Sequence, residues 1–276
     1  MLARAHKDFI WRRQDQINHL RSALREYSPA VIAIFGAELA HPDALAVLRL
    51  APTPEQARLL STADIAAGLR HAGRKRNTQP RAELIRQALA APHLAAPSLV
   101  SKAYGASTAA AVAVLTELNH QITQLETQLA EYLDQHPDAR IYRSLPGVGT
   151  VLGARLLGEF GDDPHRYASA KARKNYAGTP PVTRQSGKLL LVTARRARNQ
   201  RLADACYRWA FCSLGASPGA RTYYDQLRAR GKTHQTALWQ LANRWVGILH
   251  GCLRHHTPYD EAHAWPSQDP TQANAA

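Results

Sequence analysis

Ser186 stands between Gln185 and Gly187 and is flanked at one remove by Arg184 and Lys188. A serine hydroxyl is a weak nucleophile at neutral pH and needs activation. Attack on a phosphodiester also builds charge on the non-bridging oxygens, which a neighbouring Arg or Lys stabilises. A Ser-Gly step in a basic loop therefore suits a nucleophile aimed at phosphate, and equally a turn that only binds one. Arg195, Arg196, Arg198, Arg201 and Arg208 follow, with Leu202, Cys206, Trp209 and Leu214 between them. That pattern predicts an amphipathic helix with a cationic side, either tracking phosphates or simply solvated.

Upstream, Leu145-Pro146-Gly147-Val148-Gly149 lies between helical segments and resembles the hairpin of a helix-hairpin-helix. Glycines allow positive φ and let backbone N–H groups approach a phosphate. The helix expected from Thr150 points its positive end at the same anion. Such a hairpin grips the DNA backbone without reading sequence. An ordinary tight helical turn has the same composition. His250, Cys252, His255 and His256 hold ligand-type side chains, but helical spacing does not gather all four on one face, so no metal site is expected. Cys206, Cys212 and Cys252 form no CxxC pair, which excludes a zinc ribbon or a disulfide framework and leaves them as small hydrophobes.

Charge concentrates where these motifs lie. The 276 residues carry a formal charge of +14, and residues 164–232 hold 15 Arg or Lys against Asp204 and Asp225 alone. A one-sign block of this kind marks a polyanion partner, DNA in the first instance. Hydrophobic residues at 45% exclude a disordered chain. No stretch approaches the 18 apolar residues of a membrane span, and the charged first 15 residues lack a signal-peptide core, so a cytoplasmic, nucleoid-associated protein without a membrane partner is expected.

The elements that must position these residues are mainly α. Leu2, His6, Phe9, Ile10, Arg13, Ile17, Leu20 and Leu24 keep helical spacing from the second residue, and Pro29 ends that helix. Residues 31–97 read as short helices, with capping-box patterns at Thr53–Gln56 and Ser61–Asp64, a stop at Gly73, and a basic loop at Arg70, Arg74, Lys75 and Arg76. A long helix is expected over 98–137. Its seam of Ala111, Leu115, Leu118, Ile122, Leu125, Leu129 and Tyr132 fits a coiled coil that makes homo-oligomers, or a helical hairpin within one chain. A carboxy-terminal helical domain with the helix-hairpin-helix-like motif follows over 138–262. Within it Gly178, Pro180, Pro181 and Gly187 impose a constrained loop, and Leu189–Val192 is a candidate strand. Residues 263–276 read as a flexible tail.

Taken in order, Leu145–Gly149, Tyr176–Pro180, Gln185–Gly187 and Arg230–Lys232 resemble the bacterial insertion-sequence transposases of the IS-one-ten family. The resemblance covers about residues 140–262, and more weakly Trp11, Asn18, Leu20 and Leu24, which look like the helix closing the family's amino-terminal domain. It implies a serine-dependent DNA recombinase built from an RNase-H-like domain with a DEDD acidic set and a carboxy-terminal transposase domain, guided in some members by a structured RNA. Ser186 matches the family's nucleophile, which holds the cut strand as a phosphoserine, although Gly178–Pro181 is one residue off the usual loop.

None of the four acidic residues can be matched here, and Asp8 and Asp15 claim no such role. The resemblance therefore implies an amino-terminally truncated member, in which residues 1–30 carry the last helix of the RNase-H-like domain. No cofactor is expected in this chain, and Mg2+ only for the acidic domain. Asn199 stands where the family's pattern leads one to expect glycine, and a left-handed turn is expected there. On these residues DNA binding is expected from Gly147, Val148, Gly149, Thr150, Arg184, Lys188, Arg195, Arg196, Arg198 and Arg201, with Ser186 catalytic. The rivals are a nucleic-acid-binding remnant that never cleaves and a helix-hairpin-helix repair factor, which needs neither Ser186 nor the seam.

Overall fold

Backbone hydrogen bonding in the computed structural model, which describes residues 1–92, 96–187, 189–193 and 195–266, is overwhelmingly helical. The strands among the described residues form one two-stranded hairpin. The mainly α expectation holds. The chain divides into two units, one of Ala5–Leu125 and one of Glu126–Ala276 joined by Met1–Arg4. The boundary falls inside the long helix, between Leu125 and Glu126, rather than at that helix's ends.

In the first unit, α1 (Leu2–Tyr27) buries Ile17, Leu20, Leu24 and Tyr27, the i, i+3, i+7 stripe of an amphipathic helix. Pro29 does end it, because the residue before a proline is pushed out of the helical region. The same proline then opens α2 (Pro29–Phe35) as its first residue. After α3 (Pro42–Leu50), both expected capping boxes form. Thr53 and Gln56 cap α4 (Pro54–Leu59), and Ser61 and Asp64 cap α5 (Thr62–His71). Gly73 closes α5 at φ +96°, with Arg74 N–H reaching back to Leu69. Arg74 is not available to a nucleic acid, since its Nε donates to buried Asp43 at 2.8 Å. The short helix α6 (Thr78–Ala90) adds Ile85 to a core of Val31, Phe35, Leu45, Leu48, Ile65 and Leu69.

The long helix, α7 (Ser98–Asp134), has 37 residues and a length of about 55 Å. Its seam is not left free for a second copy as a coiled coil requires. Leu115, Ile122 and Leu129 are buried, Leu118 and Leu125 half-buried, and only Tyr132 stands fully out. Val112 and Leu115 belong to the first unit's core, Leu129 and Leu133 to the second's. Contrary to expectation, an 18-residue window of α7 reaches a mean hydropathy of 1.2, enough in length and composition for a membrane span. The run of Ala and Val over 109–114 with few charges raises that mean, and 28% of the window is buried.

The second unit is built from α8 (Ala139–Ser144), α9 (Thr150–Phe160), α10 (Ala170–Ala177), the hairpin β1 (Val182–Ser186) and β2 (Leu189–Thr193), α11 (Gln200–Ser213), α12 (Pro218–Ala229), α13 (His234–His255) and α14 (Glu261–Ala264). Trp209 and Trp245 stack at 5.2 Å in its core, and the Trp265 ring meets Trp245 at 5.5 Å. Trp265 and α14 thus anchor the start of the segment expected to be a free tail; residues 267–276 lie outside the described residues. Cys206 and Cys252 pack as hydrophobes, and burial pushes the Cys206 thiol up to about 12. Cys212 differs: it lies on the outward face of α11 and is exposed.

Candidate nucleic-acid interface

The turn between α8 and α9 is shaped by its packing. Gly147 has φ +75°, and a β-carbon there would lie 2.6 Å from the backbone of Cys212 and Ser213 on α11. Both the conformation and the close approach demand glycine. Trp209 Nε1 donates to the Pro146 carbonyl at 3.0 Å, and Val148 is buried. Of the four residues expected to meet DNA here, Gly147 and Val148 serve the contact with α11. Gly149 is exposed, and Thr150 is half-buried at the first turn of α9.

The segment expected as a loop divides differently. Asn175–Ala177 complete α10, which Gly178 closes at φ +67°. Thr179 is buried, with Oγ1 3.0 Å from Asn243 Oδ1, and so ties the Gly-Thr-Pro-Pro turn to α13. Residues 182–186 then form a strand rather than a loop, because the apolar run Leu189–Thr193 is there to pair with it. The register runs from Val182 opposite Thr193 to Ser186 opposite Leu189. The strand ends there, and Gly187 follows at φ +56° in open space.

Ser186 is therefore the last strand residue before the turn, exposed, about 13 Å along the strand from Val182. Thr183, Gln185, Leu191 and Thr193 are exposed as well, so described residues on both faces of the hairpin meet solvent. Among the described residues none hydrogen-bonds the Ser186 hydroxyl. Arg184 is placed by its backbone opposite Leu191 on β1, and Lys188 lies outside the described residues.

Arg195, Arg196 and Arg198 do not lie on a helix. Asn199 caps α11 with its side-chain oxygen, accepting from the N–H groups of Arg201 and Leu202 at 3.1 and 3.2 Å, so the helix begins only at Gln200. Asn199 has φ −68°, and the left-handed turn expected there is replaced by this extended cap. Its Nδ2 also donates to Glu159 Oε2 at 2.6 Å. Glu159, buried near the end of α9, takes two further bonds from Arg4, at 2.9 and 3.0 Å. Burial favours the neutral form of this carboxyl, but the bonds from Arg4 and Asn199 outweigh it and hold the pKa below the usual value. The basic segment is thus fixed at its carboxyl end by a charged network.

Beside this segment lies a cleft of about 600 Å³ lined by Gly178–Pro181, Arg195, Arg198, Lys232, Thr236, Trp239, Gln240 and Asn243. Arg198 stacks over the Trp239 ring at 4.5 Å and packs against Gly178. Arg195 is half-buried, and its Nε has no acceptor among the described residues. Arg196 is exposed, and Arg201 is half-buried. Arg208, by contrast, is committed to Asp204, which also takes buried Arg155 at 2.8 Å. The α13 residues of the cleft escape a motif search, yet Thr236, Gln240 and Asn243 repeat at spacings of four and three, a polar stripe along one helix side. No group of three or more His, Cys, Asp or Glu among the described residues is arranged to hold a metal.

A helical unit with a basic cleft and a projecting, glycine-turned hairpin carries the charge pattern of a polyanion-binding protein. Residues 139–225, which include the α8–α9 turn, the hairpin and α11, match the model of the transposase family IS116/IS110/IS902; they form a transposase domain of that family. The chain is 38% identical over 268 residues to the "Mini-circle putative transposase for IS117" of Streptomyces coelicolor, covering 96% of this chain and 65% of the relative. It is 35% identical over 221 residues to an uncharacterised 42 kDa protein of insertion element IS900 from Mycobacterium paratuberculosis, covering 79% and 54%. It is 32% identical over 260 residues to an uncharacterised 43.6 kDa protein of insertion element IS110 from Streptomyces coelicolor, covering 88% and 59%. The chain therefore spans less than two thirds of the length of each of these relatives.

Proposed function

We propose that the second unit binds DNA through the Arg195–Arg198–Lys232 cleft and presents Ser186 to a phosphodiester as the nucleophile of DNA transposition. The observation that carries this reading is the position of an exposed serine at a hairpin tip, joined at the hairpin's base to a cleft lined by three cations. In the step proposed, the Ser186 oxygen bonds to phosphorus and gives up its proton. The bridging P–O bond breaks, the sugar oxygen leaves as a hydroxyl, and the strand stays attached as a phosphoserine. Arginines near the transferring group stabilise charge on the non-bridging oxygens. Mg2+ does not fit the residues at hand, since the described part of the chain offers no ligand cluster for it.

The hairpin's exposure supports a site completed by another component. A two-stranded hairpin with both faces in water is marginal alone, and nothing described beside Ser186 takes its proton. A guide RNA and a second copy of the chain are the partners we propose for that surface. The same lack of a base among the described residues favours a second reading, a domain that binds nucleic acid without cleaving it.

The test incubates the chain with DNA spanning the termini of an IS-one-ten-type element and resolves the products on a denaturing gel. Ser186→Ala is expected to keep DNA affinity within about twofold and to lose the covalent adduct. An adduct that persists in Ser186→Ala removes the nucleophile assignment. Salt-dependent binding with no adduct in either protein selects the second reading.

A further inference from the structure

A larger cleft of the second unit lies elsewhere, among residues that the reading above leaves unused. It measures about 860 Å³ and is bounded by the start of α8, the loop after α9, α10 and the end of α13. That volume is within the range of small-molecule sites. Among the described residues, three of its lining side chains carry a buried polar atom without a partner. Arg173 is 4% exposed, and its Nε and Nη1 have no acceptor; Tyr142 is 1% exposed, and its hydroxyl has none; His250 Nδ1 is likewise unpaired. The guanidinium of Arg173 is held over Tyr167 at 4.6 Å and Phe160 at 5.3 Å, which fixes the plane of its fork. Burial draws the Arg173 pKa below the ordinary arginine value and raises that of Tyr142. A buried donor left unpaired costs about 1–3 kcal/mol, and more when charged, so the Arg173 guanidinium and the Tyr142 hydroxyl on one cavity wall call for an oxyanion.

The rim has the opposite character. Asp162 and Asp163 are exposed at the cleft, and Asp138 is half-exposed beside His256. Carboxylates there repel a bare anion and accept hydrogen bonds from N–H groups. We propose that this cleft binds a phosphate-bearing ligand of mononucleotide size, with the phosphate on Arg173, Tyr142 and His250 and the amino groups of the base toward Asp162 and Asp163. The source of the phosphate is either a free nucleotide or the phosphorylated end of a strand.

The test is calorimetric titration of the whole chain with inorganic phosphate, deoxyadenosine monophosphate, and one single-stranded oligonucleotide prepared with and without a 5′-phosphate. The mononucleotide is expected to bind more tightly than inorganic phosphate, because it alone reaches the acidic rim. Tyr142→Phe is expected to weaken it about tenfold, and Arg173→Lys by tenfold to a hundredfold. Tyr142→Phe is also expected to melt no lower than the wild type in the absence of ligand, since it deletes an unpaired hydroxyl, which keeps the test independent of folding. Competition by the mononucleotide alone identifies a free nucleotide. Competition by the 5′-phosphorylated strand, and not by its unphosphorylated twin, identifies a strand end. Failure of the wild type to bind any phosphate probe, or binding that both variants leave unchanged, overturns the proposal.

Discussion

The second unit contains two glycine-bearing turns that look alike in sequence and differ in what surrounds them. The Leu145–Gly149 turn is built into the core. Gly147 faces α11 with no room for a β-carbon, Trp209 holds Pro146, and Val148 is buried. The Ser186–Leu189 turn projects, with Gly187 in open space and exposed side chains on both strands. Close packing lowers the freedom of the first turn and makes it a fixed support for α9 and α11. The second has little of its own unit to hold it, which is what a reactive group needs if a partner must reach it. The motif with the more familiar DNA-binding look is the scaffold, and the less conspicuous Ser-Gly step is the part offered outward.

Substitutions can break this comparison. Gly147→Ala is expected to have the largest effect, since it combines a positive φ with a backbone collision, and should cost about 3 kcal/mol. A melting temperature lowered by roughly 10 °C would register it; an unchanged one would mean that the turn is not packed on α11.

Glu159→Gln removes the charged partner of Arg4 and Asn199 and should cost about 2 kcal/mol at neutral pH. The wild-type carboxyl has a folded pKa below its unfolded value of about 4.3. Its contribution is therefore complete above that unfolded value and is lost as pH falls through the lower, folded one. Denaturant melts from pH 7 to pH 3 should show the difference between wild type and variant closing on the acid side.

Asn199→Ala deletes the cap of α11 and should cost about 1 kcal/mol, read from the denaturant midpoint, while loosening the Arg195–Arg198 segment that feeds it. Ser186→Ala should be the mildest for folding, within about 0.5 kcal/mol of the wild type. A large loss of stability there would place the hairpin in the core after all.

What the sequence made legible was local. The boxes at Thr53–Gln56 and Ser61–Asp64, the break at Pro29 and the extent of α7 each depend on residues within one helical turn of the feature. Asn199 carried a cap signal, but an arginine-rich run with helical spacing hid it, and the helix was expected to begin at Arg195 rather than Gln200. β1 was hidden by Gly178, Pro180 and Pro181, because strand pairing depends on the later Leu189–Thr193 run. The two clefts were out of reach for the same reason. Asn243 meets Thr179 across 64 positions, and Arg173, Tyr142 and His250 line one cavity from three separate helices.

On the proposed function, Ser186 makes the covalent bond to DNA. The direct measurement is peptide mapping by mass spectrometry of the protein after reaction with element-end DNA and exhaustive nuclease trimming. A nucleotide-mass adduct is expected on the tryptic peptide containing Ser186, at the serine oxygen. An adduct on any other residue would contradict it, as would efficient strand cleavage with Ser186 unmodified and replaceable by alanine.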